Sequence, residues 1–273
     1  MISSPLPAMS LSVRIIVTIK QVPSSNDVRV DPVSGTIIRE GLPSVINPED
    51  KNALELALCL RESVGAEVVA LSMGPTQARR ALCEAMAIGA DRGILLCDKK
   101  FAGADTWATA YSLSCAVKKL APFDLILCGR QAIDGDTAQT GPQLSEFLGI
   151  PQATCVEKLE LHDGFAIASS DFGDVIRRLQ FDLPALVTVT KNANFPRYAS
   201  ISGIAGACGS EKIEVWNAAD VGADPSMIGL SGSPTRVKKM FSPRLGREGR
   251  VCDGSPSELA GKIFSALLER KIL

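Results

Sequence analysis

The feature that most constrains this chain is the regular alternation of short apolar runs with amphipathic segments between Val13 and Leu148. Val13 to Ile19, Glu67 to Ser72, Gly93 to Cys97 and Leu125 to Cys128 are strand-like runs of apolar and β-branched residues. Helical patterns stand between and after them. Asn47-Pro48-Glu49-Asp50 opens the first, with Asn47 as predicted N-cap, Pro48 at the first helical position and two acids in the first turn. Ala53, Leu54, Ala57, Leu58 and Leu60 give that helix its apolar face. Further helices are predicted over Gln77 to Ile88, closed by Gly89, over Thr106 to Leu120 and over Gln139 to Leu148. Strand and helix thus alternate four times, and such alternation predicts an α/β fold with a parallel, doubly wound sheet. A hairpin is expected around Asp31 to Gly35. Past Pro151, the segments Ala153 to Leu161, Phe165 to Ser169, Val175 to Phe181 and Ala185 to Thr190 read as strands, mostly antiparallel or edge.

Within this frame Leu125 to Gly141 stands out: apolar strand, glycine break at Gly129, turn-forming Asp134-Gly135-Asp136-Thr137, helix. The first N–H groups of a helix have no partner inside it, and the macrodipole adds partial positive charge there, so this arrangement makes an anion site. Asp136 or Thr137 is the expected N-cap. In a parallel sheet the loop lies at the carboxyl end of a strand, where ligands bind. A plain strand–turn–helix connection has the same signature. Neither a Walker A loop nor a G-x-G-x-x-G fingerprint is present.

Charge is balanced, 29 basic against 30 acidic residues, which argues against a nucleic-acid partner. Aromatic residues are 5% of the chain, too few for base-stacking platforms. The eight cysteines include no C-x-x-C pair and read as reduced core residues of a cytoplasmic protein, without a metal cluster. The single histidine, His162, stands in a turn composition, His162-Asp163-Gly164, and is not expected to be catalytic. Met1 to Ser12 lacks the pattern of a signal peptide, and no apolar run reaches membrane-spanning length. Beyond Lys191 core-forming density falls, and Gly222 to Arg250 is rich in Gly, Ser, Pro and Arg. A terminal helix then begins at Ser255-Pro256-Ser257-Glu258. The expected organisation is a nucleotide-binding α/β domain over residues 1–190 and a docking segment with a C-terminal arm over 191–273.

From Val13 to the end, the chain resembles the beta (small) subunit of electron transfer flavoproteins. The motifs that carry the resemblance occur in the same order. They are Lys20-Gln21-Val22, Asn47-Pro48, Leu71-Ser72-Met73-Gly74-Pro75, Ala87-Ile88-Gly89-Ala90-Asp91, the run Gly129 to Gly141, Leu183-Pro184-Ala185-Leu186-Val187-Thr188 and Pro196-Arg197-Tyr198. The resemblance implies an adenine-nucleotide-binding α/β fold and a heterodimer with an alpha subunit. The implied cofactor contacts fall on Thr18, Asn47, Pro48, Glu49, Asp50 and Met73, and on Gly129, Arg130, Gln131, Ala132, Ile133, Asp134, Gly135, Asp136, Thr137, Ala138, Gln139 and Thr140. Asp134 and Asp136 would repel a pyrophosphate, so they are expected to cap helices, to bind ribose hydroxyls or to meet a metal that accompanies the phosphate.

Ordinary members of the family hold AMP in this site. Members of the electron-bifurcating branch hold a second FAD there, reduced by NADH. Asp31 to Thr36, Asp134 to Gln139 and Gly232 to Lys239 resemble the bifurcating branch, which implies FAD here and a second FAD shared with the alpha subunit. Electrons would then pass to an acyl-CoA dehydrogenase-type or other flavin dehydrogenase and to ferredoxin or flavodoxin. The family's docking loop maps on Arg197, Tyr198, Ala199, Ser200, Ile201, Ser202, Gly203, Ile204, Ala205 and Gly206, with Ile201 as the apolar anchor. Two departures stand out: Ala205 to Ser210 replaces a lysine-rich run, and Arg177 replaces an acidic or amide residue. No catalytic side chain is implied, because the flavin carries the redox chemistry. Two rival readings share the fold class. A nucleotide sensor of the universal-stress type would not need the long arm. An adenylating enzyme would need a glycine-rich loop where this chain has Lys20 to Ser25.

Overall fold

The structure is a computed structural model that describes residues 13–24, 44–207, 213–238, 249 and 251–273. The hairpin expected around Asp31 to Gly35 lies outside the described residues. In chain order the elements are β1 (Arg14–Thr18), β2 (Gln21–Pro23), β3 (Ser44–Ile46), α1 (Pro48–Val64), β4 (Glu67–Met73), α2 (Arg79–Ile88), β5 (Arg92–Leu96), α3 (Thr106–Leu120), β6 (Leu125–Gly129), α4 (Thr140–Leu148), β7 (Gln152–Leu161), β8 (Phe165–Asp171), β9 (Ile176–Asp182), β10 (Ala185–Val189), α5 (Ile201–Ala207), β11 (Ile213–Trp216) and α6 (Pro256–Glu269).

The main sheet runs β11-β5-β4-β1-β6-β10-β7-β8-β9. Pairing is parallel from β11 through to β7 and antiparallel from β7 to β9. Successive side chains of a strand point to opposite faces, and both faces are covered. Ile15, Val17 and Leu127 pack with Leu54, Leu58 and Leu82 on the α1–α2 side. Ile16, Ile126 and Ile94 pack with Leu113, Val117 and Leu144 on the α3–α4 side. Hence these strands carry continuous apolar runs rather than alternation.

Ala185 to Thr190 departs from its expected place among antiparallel or edge strands. β10 is buried along its whole length and runs parallel between β6 and β7. Its apolar sequence marks a strand covered on both faces, and only the hairpin strands β8 and β9 form the antiparallel flank. The short β2–β3 ladder has no counterpart in the sequence reading. β11 adds a parallel strand beside β5, and Trp216, Ala218 and Ile228 join the core on the α3–α4 side.

The chain divides into two compact units, Met1–Val237 and Lys238–Leu273. In the second, Ser255 and Glu258 form a reciprocal capping box at the start of α6. Among the described residues no helix is long and apolar enough to cross a membrane.

Candidate functional site

The strand order reverses at β1. From β1 the chain moves one way, through α1 to β4 and through α2 to β5. It then returns over α3 to β6, on the other side of β1. Connections leaving a sheet in opposite directions open a crevice at the carboxyl ends of the adjoining strands. Thr18, Met73 and Gly129 end three neighbouring strands there, with Thr18 opposite Leu71 and Val17 opposite Leu127. The loop after β6 and the first turn of α1 complete the crevice.

A polar network joins these parts. Asp50, in the first turn of α1, accepts hydrogen bonds from Lys20 N at 2.7 Å, Gly129 N at 3.1 Å and Asn47 Nδ2 at 3.1 Å. Glu49 accepts from Gln131 N at 2.9 Å and lies 3.5 Å from Arg130 Nε. Asn47 occupies the N-cap position of α1 but makes no side-chain cap there. This corrects the expected role. Its amide instead donates to Gln131 O at 2.9 Å and accepts from Ile133 N at 3.1 Å, so it holds the loop after β6. Asn47, Glu49 and Asp50 are all buried, and buried polar groups are retained where they are hydrogen-bonded.

The loop after β6 folds back on itself. Gly135 N and Asp136 N both donate to Ala132 O. Asp136 and Ala138 adopt left-handed backbone, φ 50° and 55°, uncommon for residues with a side chain. These turns delay the start of α4. Its N-cap is Gln139, not the expected Asp136 or Thr137, and it makes no side-chain cap. Gly141 lets that first turn sit against the sheet, because a Cβ there would stand 2.6 Å from Thr188 Cγ2 and 3.3 Å from Cys128 Sγ. An α-helix N-terminus without a side-chain cap, preceded by left-handed turns, fits a phosphate. The amides of Gly129, Arg130, Gln131 and Ile133 are already bonded within the protein. The part of the loop suited to an anion therefore begins at Thr137.

Asp134 is nearly buried and pairs with Lys20 Nζ at 2.5 Å. Lys20 was missed as a site residue, although its place just after β1 is the signal that could have found it. The pair offsets the acidic character that two aspartates give the loop. Thr18 hydrogen-bonds the Cys128 thiol, which burial pushes up to about 12, so that thiol stays protonated. His162 lies in the β7–β8 turn, stacked on Phe165 at 4.7 Å. The segment expected to dock a partner also departs from a simple loop: Ile201–Ala207 is α5.

Burial pushes the Asp50 carboxyl up to about 7, against hydrogen bonds from Asn47, Lys20 and Gly129. The unfolded chain returns it to 3.8, so between these values the folded chain binds the proton that the unfolded chain has lost. Asp50 ionisation therefore lowers stability as pH rises from about 4 to about 7. Asp50→Asn removes that titration. Wild type is expected to gain stability relative to the variant as pH falls from about 8 to about 5, by at most about 1.4 kcal/mol per pH unit. Urea midpoints across that range check it, and a pH-independent difference would return Asp50 to its ordinary value.

The fold and crevice define a doubly wound α/β protein with a candidate ligand site at its switch point. A family model described as electron transfer flavoprotein domain matches residues 34–221. The electron transfer flavoprotein subunit beta of Clostridium acetobutylicum is 48% identical over 255 residues, 93% of this chain and 98% of that protein. The caffeyl-CoA reductase-Etf complex subunit CarD of Acetobacterium woodii is 45% identical over 262 residues, 95% of this chain and 100% of that one. The acryloyl-CoA reductase electron transfer subunit gamma of Anaerotignum propionicum is 37% identical over 268 residues, 95% and 100% of the two chains. The chain belongs to the electron transfer flavoprotein family, as a beta-type subunit.

Proposed function

We propose that this beta-type subunit pairs with an electron transfer flavoprotein alpha subunit and holds FAD, rather than AMP, at the crevice between β1 and β6. The complex would take hydride from NADH. It would deliver one electron to a flavin dehydrogenase of the acyl-CoA dehydrogenase type through the alpha-subunit FAD, and one to ferredoxin or flavodoxin. The carrying observation is the start of α4, where an uncapped helix N-terminus follows the left-handed turns at Asp136 and Ala138. When bound, the flavin supplies two-electron uptake and one-electron release. The chain's own residues bind and orient it. Asn47, Glu49 and Asp50 hold the loop after β6, Lys20 neutralises Asp134, and Thr137 to Thr140 would hold the phosphates. The names of the caffeyl-CoA and acryloyl-CoA reductase relatives favour the bifurcating branch.

Residues 1–190 then supply the nucleotide crevice, 191–237 carry the docking segment and complete the sheet with β11, and 238–273 form the arm. Tyr198 and Ile201 are 98% and 89% exposed, as an anchor for a partner requires. The apolar Ile263, Phe264 and Leu268 of α6 are also exposed, and they offer a face to the alpha subunit. The described cysteines are all free thiols, which suits the cytoplasm.

The deciding experiment is co-expression with an electron transfer flavoprotein alpha subunit from the same organism, followed by cofactor extraction. Two FAD and no AMP per heterodimer are expected. One FAD with one AMP would assign the chain to the non-bifurcating branch, and a colourless preparation free of nucleotide would remove the reading altogether.

A further inference from the structure

Asp105 stands at the start of α3 and uses its two carboxylate oxygens for different tasks. Oδ1 caps the helix, accepting from Ala108 N at 3.0 Å. Oδ2 accepts from both Thr235 N at 3.0 Å and Thr235 Oγ1 at 2.7 Å. The Asp105 amide in turn donates to Ser233 Oγ at 2.8 Å, and that hydroxyl, buried, donates to Gly229 O at 2.8 Å. Leu230 N donates to Ala102 O at 3.1 Å. The segment from Gly229 to Thr235 is thus fastened to the root of α3, just before Val237, where the first compact unit ends.

The next residue reaches the other way. Thr106 Oγ1 donates to Gln139 Oε1 at 3.3 Å, and Gln139 is the N-cap residue of α4. The two helices are locked beyond that point by Trp107 and Tyr111, whose rings lie 4.5 and 5.5 Å from that of Phe147. One helix start therefore holds both Thr235, near the end of the first unit, and the start of α4, the part of the crevice suited to a phosphate.

We infer that Asp105 is a positioning residue that couples occupancy of the crevice to the anchoring of the chain at Thr235. A ligand that orders the start of α4 stabilises the α3 start through Thr106, and the same α3 start holds Thr235. Linkage makes the effect reciprocal: loosening Thr235 must weaken the ligand by the factor with which the ligand tightens Thr235. The inference rests on the reading of the crevice as a nucleotide site.

The test uses the full heterodimer, with AMP and FAD as probes on protein stripped of nucleotide. Nucleotide is expected to slow tryptic cleavage after Arg236 and Lys238. Thr235→Val, which loses only the hydroxyl bond, is expected to abolish that protection and weaken nucleotide binding roughly fivefold. Thr235→Ser is expected to restore both. Asp105→Ser keeps an N-cap residue but withdraws the reach to Thr235, and should behave like Thr235→Val without loss of α3 at the melting midpoint. Nucleotide that binds tightly yet leaves the cleavage rate unchanged, or Thr235→Val that retains full protection, overturns the coupling alone. Wild type that binds no AMP, and no FAD beyond the one held with the alpha subunit, overturns the site reading and the coupling with it.

Discussion

Gly129→Ala is expected to disrupt the crevice and to destabilise the protein by about 3 kcal/mol or more. A Cβ at Gly129 would stand 2.8 Å from Asp50 N and from the Glu49 carbonyl carbon, and against the Asp50 carboxylate. Two of these obstacles are backbone of the first turn of α1, which cannot rotate aside as a side chain can. The helix start would have to retreat from the end of β6, and the bonds from Gly129 N and Gln131 N to α1 carboxylates would be lost with it. Buried acceptors left without donors add to the overpacking. Gly135→Ala is the matched control, because nothing lies within 4 Å of its added Cβ; it should change stability by less than about 0.5 kcal/mol. Denaturant midpoints of the two variants, compared side by side, check the expectation. Equal behaviour would mean that α1 and β6 do not approach as closely as described.

The contrast between these glycines shows what could be read from sequence. The strand at Leu125, the glycine break and the following helix were all legible, because each is set by local periodicity and turn chemistry. Thr106 to Leu120 emerged with its sequence-read boundaries for the same reason. The side-chain assignments were not legible. Asn47 has the composition of a cap, yet its amide binds a loop 84 and 86 residues away. Lys20 and Asp134 meet across 114 residues. No local rule distinguishes a capping Asn from one recruited by a distant strand, since the choice depends on where the topology brings the loops. β10 illustrates the same limit at the level of the sheet. Its apolar content was visible, but its position between β6 and β7 follows from the route of the β7–β9 excursion, which carries the chain out along the sheet and back. Family resemblance supplied the residues of the crevice, and geometry alone reassigned the capping roles at α1 and α4.

Arg197→Ala is expected to cost about 2 kcal/mol and to release the segment leading into α5 from α1. The guanidinium lies 2.9 Å from Glu55 Oε2, and Glu62 pairs with it through Nη1 at 2.5 Å. The Arg197 amide donates to Glu55 Oε2 as well, at 3.0 Å. Burial works to raise the Glu55 carboxyl, and the hydrogen bonds from Arg197 more than reverse it, holding the group below its ordinary value. Removing the partner of a buried charge costs about 3–5 kcal/mol, and partial exposure of Arg197 brings the expectation down to about 2 kcal/mol. The contribution should be complete above the unfolded Glu55 value of 4.5 and fade as pH falls below it, because the folded carboxyl is the stronger acid. Asn52 and Asn194 exchange further hydrogen bonds beside this pair, so one face of α1 clamps the strap on which Phe195, Tyr198 and Ile201 stand exposed. The same helix carries Asn47, Glu49 and Asp50 at its start or just before it, so α1 sets the distance between the crevice and the segment leading into α5. Arg197→Lys, which keeps the charge but loses the fork, should fall between wild type and Arg197→Ala. Glu55→Gln combined with Arg197→Ala should be less destabilising than the two changes summed, because the stranded charge is removed. Amide exchange over Ile201 to Ala207 should quicken in Arg197→Ala while that over β6 is unchanged. Under the proposed docking role, electron delivery to a partner dehydrogenase should weaken through KM before kcat, because the surface would lose its rigidity rather than its contacts.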